Sequence, residues 1–257
     1  RGGFEINLLT GKVTGWDYDR FYGCNTAIGS EHLITFRSGA AGFCDLSGLS
    51  GTGNLGGFRS SCTSNLIPAN GVLNAPDYTR TCTCSYQNQT SLALIHMPEA
   101  EFWTFGGDAD DRRIGINFGA PGDRRAASGT LFGEFPNQGA DRDKAEIDVK
   151  GRKLAVRRIH SSLVEGQDAW IGASAVVSPD EVEIEVPDDD ASYRVRLIFA
   201  EIGEAKPGER VFDVKLEGET VLQDFDIAAA GGGRKVVEKE FAGIEPGDEL
   251  TLEFVSK

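Results

Sequence analysis

The sequence predicts an all-β protein. Residues 113–257 read as an antiparallel β-sandwich of the jelly-roll kind. Residues 1–105 read as a loop-rich, disulfide-stapled β piece, with a linker over 106–112 between them. Three observations carry this expectation. Apolar and polar residues alternate with period two through several segments beyond residue 112, which gives strands with one buried and one wet face. Turn-forming residues separate those segments, and no long segment has helical periodicity. All 5 cysteines lie in the first part, at Cys24, Cys44, Cys62, Cys82 and Cys84.

Taken in order, Phe4-Glu5-Ile6-Asn7-Leu8 alternates and runs into Thr10-Gly11-Lys12-Val13, a strand, a tight turn and the next strand. His32-Leu33-Ile34-Thr35-Phe36 is a second strand candidate. From Ser38 to Asn74 the chain is rich in Gly, Ser and Asn with little periodicity and is expected to be irregular. Ser91-Leu92-Ala93-Leu94-Ile95 resumes as a strand. Gly106-Gly107-Asp108-Ala109-Asp110-Asp111 is the linker.

In the second part Val182, Ile184 and Val186 alternate with Glu181, Glu183 and Glu185. Tyr193, Val195, Leu197 and Phe199 alternate with Arg194, Arg196 and Ile198. Phe212, Val214 and Leu216 do the same, as do Leu250, Leu252 and Phe254. Pro187-Asp188, Lys206-Pro207-Gly208, Glu217-Gly218, Gly231-Gly232-Gly233 and Glu245-Pro246-Gly247 mark the turns.

The net charge of -14 argues against a nucleic-acid partner, which calls for a basic face. Of the 26 basic and 40 acidic residues, 6 and 8 lie in residues 1–105, leaving 20 and 32 in the rest. No apolar run approaches the roughly 20 residues of a transmembrane helix. Cys82-Thr83-Cys84 is too closely spaced for a zinc knuckle, so two disulfides with one cysteine over are expected, and with them an extracytoplasmic, oxidising setting. A chain that starts at Arg1 reads as a fragment or processed product lacking an N-terminal region, where the odd cysteine would find its partner. Asn88-Gln89-Thr90 fits a glycosylation sequon.

Catalytic patterns are sparse. His160-Ser161-Ser162 places a base beside hydroxyls, but neighbours along a strand point to opposite faces, so no dyad is expected. Asp224-Phe225-Asp226 puts two carboxylates on one strand face, an arrangement that glycoside hydrolysis or calcium binding can use. Asp108, Asp110 and Asp111 offer calcium ligands without the spaced Gly and Glu of an EF-hand. No cofactor is expected, calcium aside, and no enzymatic activity.

Several segments together resemble the malectin-like carbohydrate-binding modules. Ile116-Asn117-Phe118-Gly119-Ala120-Pro121-Gly122-Asp123-Arg124 resembles the opening strand and turn. YRVRLIFAE, Tyr193 to Glu201, resembles the central strand. RVFDVKL from Arg210, VLQDFDI from Val221 and LTLEFV from Leu250 follow in the family's order. In that family Asp224 and Asp226 occupy a structural stretch. The resemblance implies a non-catalytic glycan-binding module. The family's aromatic pair directly after the FAE strand is replaced here by Ile202-Gly203-Glu204. Leu163 stands where the family can have Tyr, and its acidic ligand beyond the closing strand would fall past Lys257. The candidate sugar-binding residues are therefore Trp170, Phe132, Asp123, Arg124 and Arg125: rings for stacking, polar groups for hydroxyls.

FEINLLTGKV, Phe4 to Val13, resembles a strand–turn repeat of the quinoprotein-like (PQQ-binding-like) β-propellers. The run from Tyr22 to Leu94, including FRSGAAGF, IPANG and RTCTCSYQNQTSLAL, is similar to the cysteine-bearing end of such propellers in large bacterial surface proteins. A single blade cannot hold a quinone, so no quinone is carried over. The alternative to glycan binding is a structural module that joins other protein subunits of a surface assembly.

Overall fold

The structure, a computed structural model, describes residues 2–48, 51–58, 65–76, 92–95, 101–107, 112–136 and 146–257. With 49% of the described residues in strands and 6% in helical turns, the fold is all-β, as the alternation predicts. The first strands are β1 (Gly3–Ile6), β2 (Val13–Tyr18), β3 (Ile28–Gly29), β4 (Leu33–Ser38), β5 (Ala40–Asp45) and β6 (Thr52–Asn54). β7 (Ile67–Ala69), β8 (Val72–Ala75), β9 (Leu92–Ile95) and β10 (Thr104–Phe105) follow. Next come β11 (Gly115–Phe118), β12 (Arg124–Arg125), β13 (Leu131–Phe135), β14 (Ile147–Lys150), β15 (Ala155–Arg158) and β16 (Ser174–Val177). The last are β17 (Glu181–Glu185), β18 (Tyr193–Phe199), β19 (Val211–Leu216), β20 (Glu219–Asp226), β21 (Val237–Ile244) and β22 (Glu249–Ser256). Helical turns are short: a 3-10 turn at Ser161–Leu163, α1 (Ala169–Gly172) and α2 (Ile227–Gly231). Among the described residues no helix is long and apolar enough to cross a membrane.

The chain divides into two compact units, residues 1–110 with 122–131, and 111–121 with 132–257. In the first, β1 and β2 form the hairpin that Thr10-Gly11 predicts, Gly11 taking the positive φ such a turn requires. β3 to β6 run as an antiparallel meander that β10 extends, and β7 to β9 form a second meander. Segment 122–131 belongs to this unit: Thr104 and Asp123 exchange backbone hydrogen bonds at 2.9 and 2.7 Å.

The irregular stretch expected from Ser38 to Asn74 instead holds β5, β6, β7 and β8. Its glycines do not mark loops throughout. A Cβ on Gly53 would stand 2.5 Å from the Phe43 ring, so this strand glycine makes room for packing. β5 is buried at Ala41, Gly42 and Cys44, and such a strand shows no clean alternation.

The expected disulfide staple is not seen among the described residues. Cys24 and Cys44 carry free thiols, Cys24 on the surface and Cys44 in the interior. Cys44 is 2% exposed and packs with Tyr18 and Phe36, its Sγ 3.5 Å from Thr52 Oγ1, so its inward position serves packing. Cys62, Cys82, Cys84, the Asn88 sequon and linker residues 108–111 lie outside the described residues.

The second unit is a two-layered sandwich. One layer is the sheet β14-β17-β22-β19-β20, antiparallel throughout. Val182, Ile184, Leu216, Leu250 and Leu252 point inward from it and meet Val195 of β18, with Leu197, Phe241, Ile116 and Phe118 packed around them. The outward face carries the alternating charges, as where Lys150 lies 2.8 and 2.7 Å from Glu181 and Glu183. Glu217-Gly218 closes the β19–β20 hairpin with both φ positive, as the primed two-residue turns demand. β11 and β13 depart from the antiparallel pattern and pair in parallel, Gly115 to Phe118 against Phe132 to Phe135.

Candidate functional site

The inward phase of β18 runs Tyr193, Val195, Leu197, Phe199, and two residues further on it reaches Glu201. A carboxylate on the buried phase of a strand must be neutralised locally. Glu201 is 2% exposed, and its carboxylate accepts from Gly203 N at 2.8 Å and from Arg210 Nη1 at 3.2 and 3.0 Å. Arg210 is itself 42% exposed, so the pair is a buried anion held by a half-exposed cation. Ile202 turns into the apolar cluster of Val164 and Ala173.

The loop between β18 and β19 is built by short-range hydrogen bonds. Lys206 N donates to Glu209 Oε2 at 2.9 Å, and Glu209 N donates to Lys206 O at 3.0 Å. Gly208, at positive φ, donates its N–H to the Asp226 carboxylate. The loop thereby forms one wall of an open groove of about 460 Å³, lined by Arg157, Gly203, Glu204, Ala205, Glu209 and Arg210. Arg157 reaches it from β15, opposite Ala175 of β16. A Cβ on Gly203 would lie 2.8 Å from Glu201 Oε1, 3.2 Å from Arg157 Nη1 and 3.6 Å from Arg210 Nη2. The groove is thus polar, with guanidinium donors and carboxylate acceptors around a residue that has no side chain.

The residues singled out from sequence lie elsewhere. Trp170 and Phe132 do meet, edge to face with ring centroids 5.6 Å apart, but each is 7% exposed. That pairing is an interior one and leaves no ring face on which a pyranose could stack. Asp123, Arg124 and Arg125 belong to the first unit. Asp123 is fully buried, the Arg124 guanidinium lies 5.9 Å from the centroid of the Trp103 ring, and Arg125 Nη1 donates to Gly129 O at 2.7 Å. The five candidates are therefore divided between the two units, two in one and three in the other.

The carboxylates of β20 are engaged in structure. Asp226 caps α2 by accepting from Ala229 N at 3.0 Å, and the N–H groups of Gly208 and then Ala229 hold its carboxyl below the usual range. Asp224, at positive φ, lies 3.3 Å from Lys257 Nζ, which also pairs with Asp213 at 2.8 Å. That ammonium, with the backbone N–H of Asp224, lowers the Asp213 carboxyl in turn.

His160 departs from the strand expectation. It caps the 3-10 turn, with Nδ1 2.8 Å from Ser162 Oγ. Both side chains are exposed, and among the described residues no carboxylate bonds the ring. Among the described residues, too, no three His, Cys, Asp or Glu side chains are grouped to hold a metal ion. Asp108, Asp110 and Asp111 lie outside them.

The malectin domain family matches residues 114–250. The chain belongs to the malectin domain family. The match spans the sandwich and the loop that carries Glu201, Gly203 and Arg210. No curated protein matches the chain. Among solved structures it is similar to Bacteroides uniformis beta-glucuronidase, at 12% identity, 72% of this chain, 20% of that one and a TM-score of 0.45. A calcium-binding mutant of beta-glucuronidase 2 from the same organism shares 12% identity over 84% of this chain and 25% of that one, with a TM-score of 0.47. The chain spans a quarter or less of the length of these structures.

Sequence reasoning missed the groove. It noted Ile202-Gly203-Glu204 only as the place of an absent aromatic pair, and it passed over Arg157, Glu201 and Glu209. The available signal was Glu201 itself, an acid in phase with four inward-facing residues.

Proposed function

We propose that this malectin domain is a non-catalytic carbohydrate-binding module whose ligand enters the groove between Arg157 and the Glu201–Arg210 loop. The observation that carries the reading is the placement of a polar groove directly after the FAE strand of a malectin domain. Sugar hydroxyls both donate and accept, and the groove offers them carboxylates at Glu204 and Glu209 and guanidinium groups at Arg157 and Arg210. The non-catalytic reading is supported by the structural engagement of Asp224 and Asp226 and by the exposed, acid-free His160–Ser162 contact. A glycan array with the intact chain tests it: bound oligosaccharides should be lost in Ala205→Trp, which obstructs the groove. A silent array overturns it.

A second reading, assembly into an extracellular surface complex, is favoured by the β1–β2 hairpin. Phe4, Ile6 and Val13 are exposed on it, and Leu8 and Leu9 at its turn are 97% and 96% exposed. Isolated exposed apolar residues are ordinary, but five on one hairpin suit a protein partner. We also propose that the first unit is the terminal part of a quinoprotein-like propeller in a bacterial surface protein. The two antiparallel meanders, β3–β6 and β7–β9, support that proposal because blades are such meanders. An extracytoplasmic setting, with one disulfide among Cys62, Cys82 and Cys84, belongs to the same proposal. Non-reducing mass measurement of the intact chain checks it.

A further inference from the structure

The β1–β2 hairpin has two unlike faces. Residues directly opposite in a strand pair share a face, and so do residues two apart along one strand. Trp16 and Tyr18 lie on the inner face, where they pack with Phe36 and Cys44. Ile6 pairs with Val13 and Phe4 with Asp17, which places these four on the outer face. More than half of Phe4 and of Val13 stands in solvent, as does nearly half of Ile6, and Leu8 and Leu9 at the turn are almost wholly exposed. The turn is a held structure. The Asn7 side-chain carbonyl accepts from the N–H groups of Leu9 and Thr10, each at 3.0 Å, and Gly11 N donates to Asn7 O at 2.8 Å. The two leucines are thus displayed on an ordered turn, which lowers the entropic cost of docking them.

We propose that the outer face of this hairpin docks on the same face of a second copy of the chain, across a two-fold axis that sets the tip of each hairpin on the base of the other. This deepens the reading of the hairpin as an assembly surface and rests on it. Three features favour a second copy. The first is area. With about 100 Å² for an aliphatic side chain and about 200 Å² for a phenyl ring, the five residues present about 400 Å² of apolar surface. Homodimer interfaces are about 65% apolar, so two such faces correspond to an interface of about 1,200 Å², the lower end of specific contacts. A reversible dimer of modest affinity is what that area supports. The second is charge. Lys12 stands at the tip and Asp17 at the base, both exposed, and neither side chain has a hydrogen bond or an ion pair among the described residues. A tip-to-base arrangement brings Lys12 of each copy toward Asp17 of the other, and two-fold symmetry makes that pair twice. The third is the weak self-repulsion of this part of the chain. Residues 1–105 hold 6 basic and 8 acidic residues, so most of the net charge of -14 lies beyond them.

The test is sedimentation velocity of the intact chain over protein concentrations from about 1 μM to about 1 mM. A reductant is present, so that the exposed Cys24 thiol cannot link copies. The expected result is a monomer–dimer equilibrium whose association constant falls at least tenfold in Leu8→Ser/Leu9→Ser. Both leucines are solvent-exposed, and an unchanged thermal unfolding curve for the variant keeps folding out of the comparison. Lys12→Asp and Asp17→Lys should each weaken the dimer at least threefold, and the two together, which restore opposite signs, should recover it. A dimer untouched by Leu8→Ser/Leu9→Ser overturns the hairpin as its contact. A charge swap that fails to recover the dimer overturns the tip-to-base arrangement. Species that keep growing with concentration overturn the closed two-fold contact. Monomer at every concentration overturns the second copy and leaves a different protein as the hairpin's partner. If the leucine variant then also captures the same proteins as the unchanged chain, the assembly reading falls with it.

Discussion

Arg210→Met removes the guanidinium but keeps most of the stem. Glu201, at 2% exposure, would then keep one hydrogen bond, from Gly203 N. Breaking one side of a fully buried ion pair costs about 3–5 kcal/mol. Arg210 is 42% exposed, so water can reach the vacated position and the loss should fall to about 2–4 kcal/mol. For a unit of this size that corresponds to a fall in melting temperature of about 6–12 °C. Glu201→Gln combined with Arg210→Met removes the unpaired charge, so the double variant should be more stable than Arg210→Met alone by about 1–2 kcal/mol. Calorimetric unfolding of the intact chain reads both quantities, on the transition of the second unit. A loss under about 1 kcal/mol for Arg210→Met, or a double variant no better than the single one, would show that Glu201 is not held in the way described.

Leu216→Ala, at a 2% exposed position facing Val195 and Leu252, should cost about 2–5 kcal/mol by urea unfolding. Burial pushes the Cys44 thiol up from 9.0 to about 11. Its folded value is raised, so its contribution, roughly 2–3 kcal/mol, is complete below pH 9 and lost as pH rises through 11. Cys44→Ala should flatten alkaline unfolding in that window, and thiol titration of the native chain should modify Cys24 well before Cys44. Limited proteolysis is expected to cut in the Gly106–Asp111 segment. Segment 122–131 pairs with Thr104, so the two fragments should stay together on gel filtration until denatured; separation without denaturant would contradict that pairing.

The sandwich was legible because its strands are wet on one face: Glu181, Glu183 and Glu185 outward against Val182 and Ile184 inward write period two into the chain. β5 and β6 were not legible. Their Ala and Gly residues pack from both sides, and a strand such as Thr52–Asn54 is too short to show a period. The site was misread for a related reason. Trp170 is the residue type that recognises sugars, but a ring is equally suited to an interior edge-to-face contact, and only burial separates the two uses. Arg157 and Arg210 lie 53 positions apart and meet at Gly203 through the course of β15 and the β18–β19 loop, which no local pattern encodes. His160 and Ser162 touch because the segment turns where a strand was assumed.

The central claim is that the groove after the FAE strand is the glycan site. Backbone amide chemical shifts of the intact chain, followed while a bound oligosaccharide is titrated, test it most directly. The account predicts shifts concentrated at Arg157, Gly203, Glu204, Ala205, Glu209 and Arg210, with the amides of Phe132 and Trp170 unmoved. Shifts centred on Trp170, or none at any residue lining the groove, would contradict it.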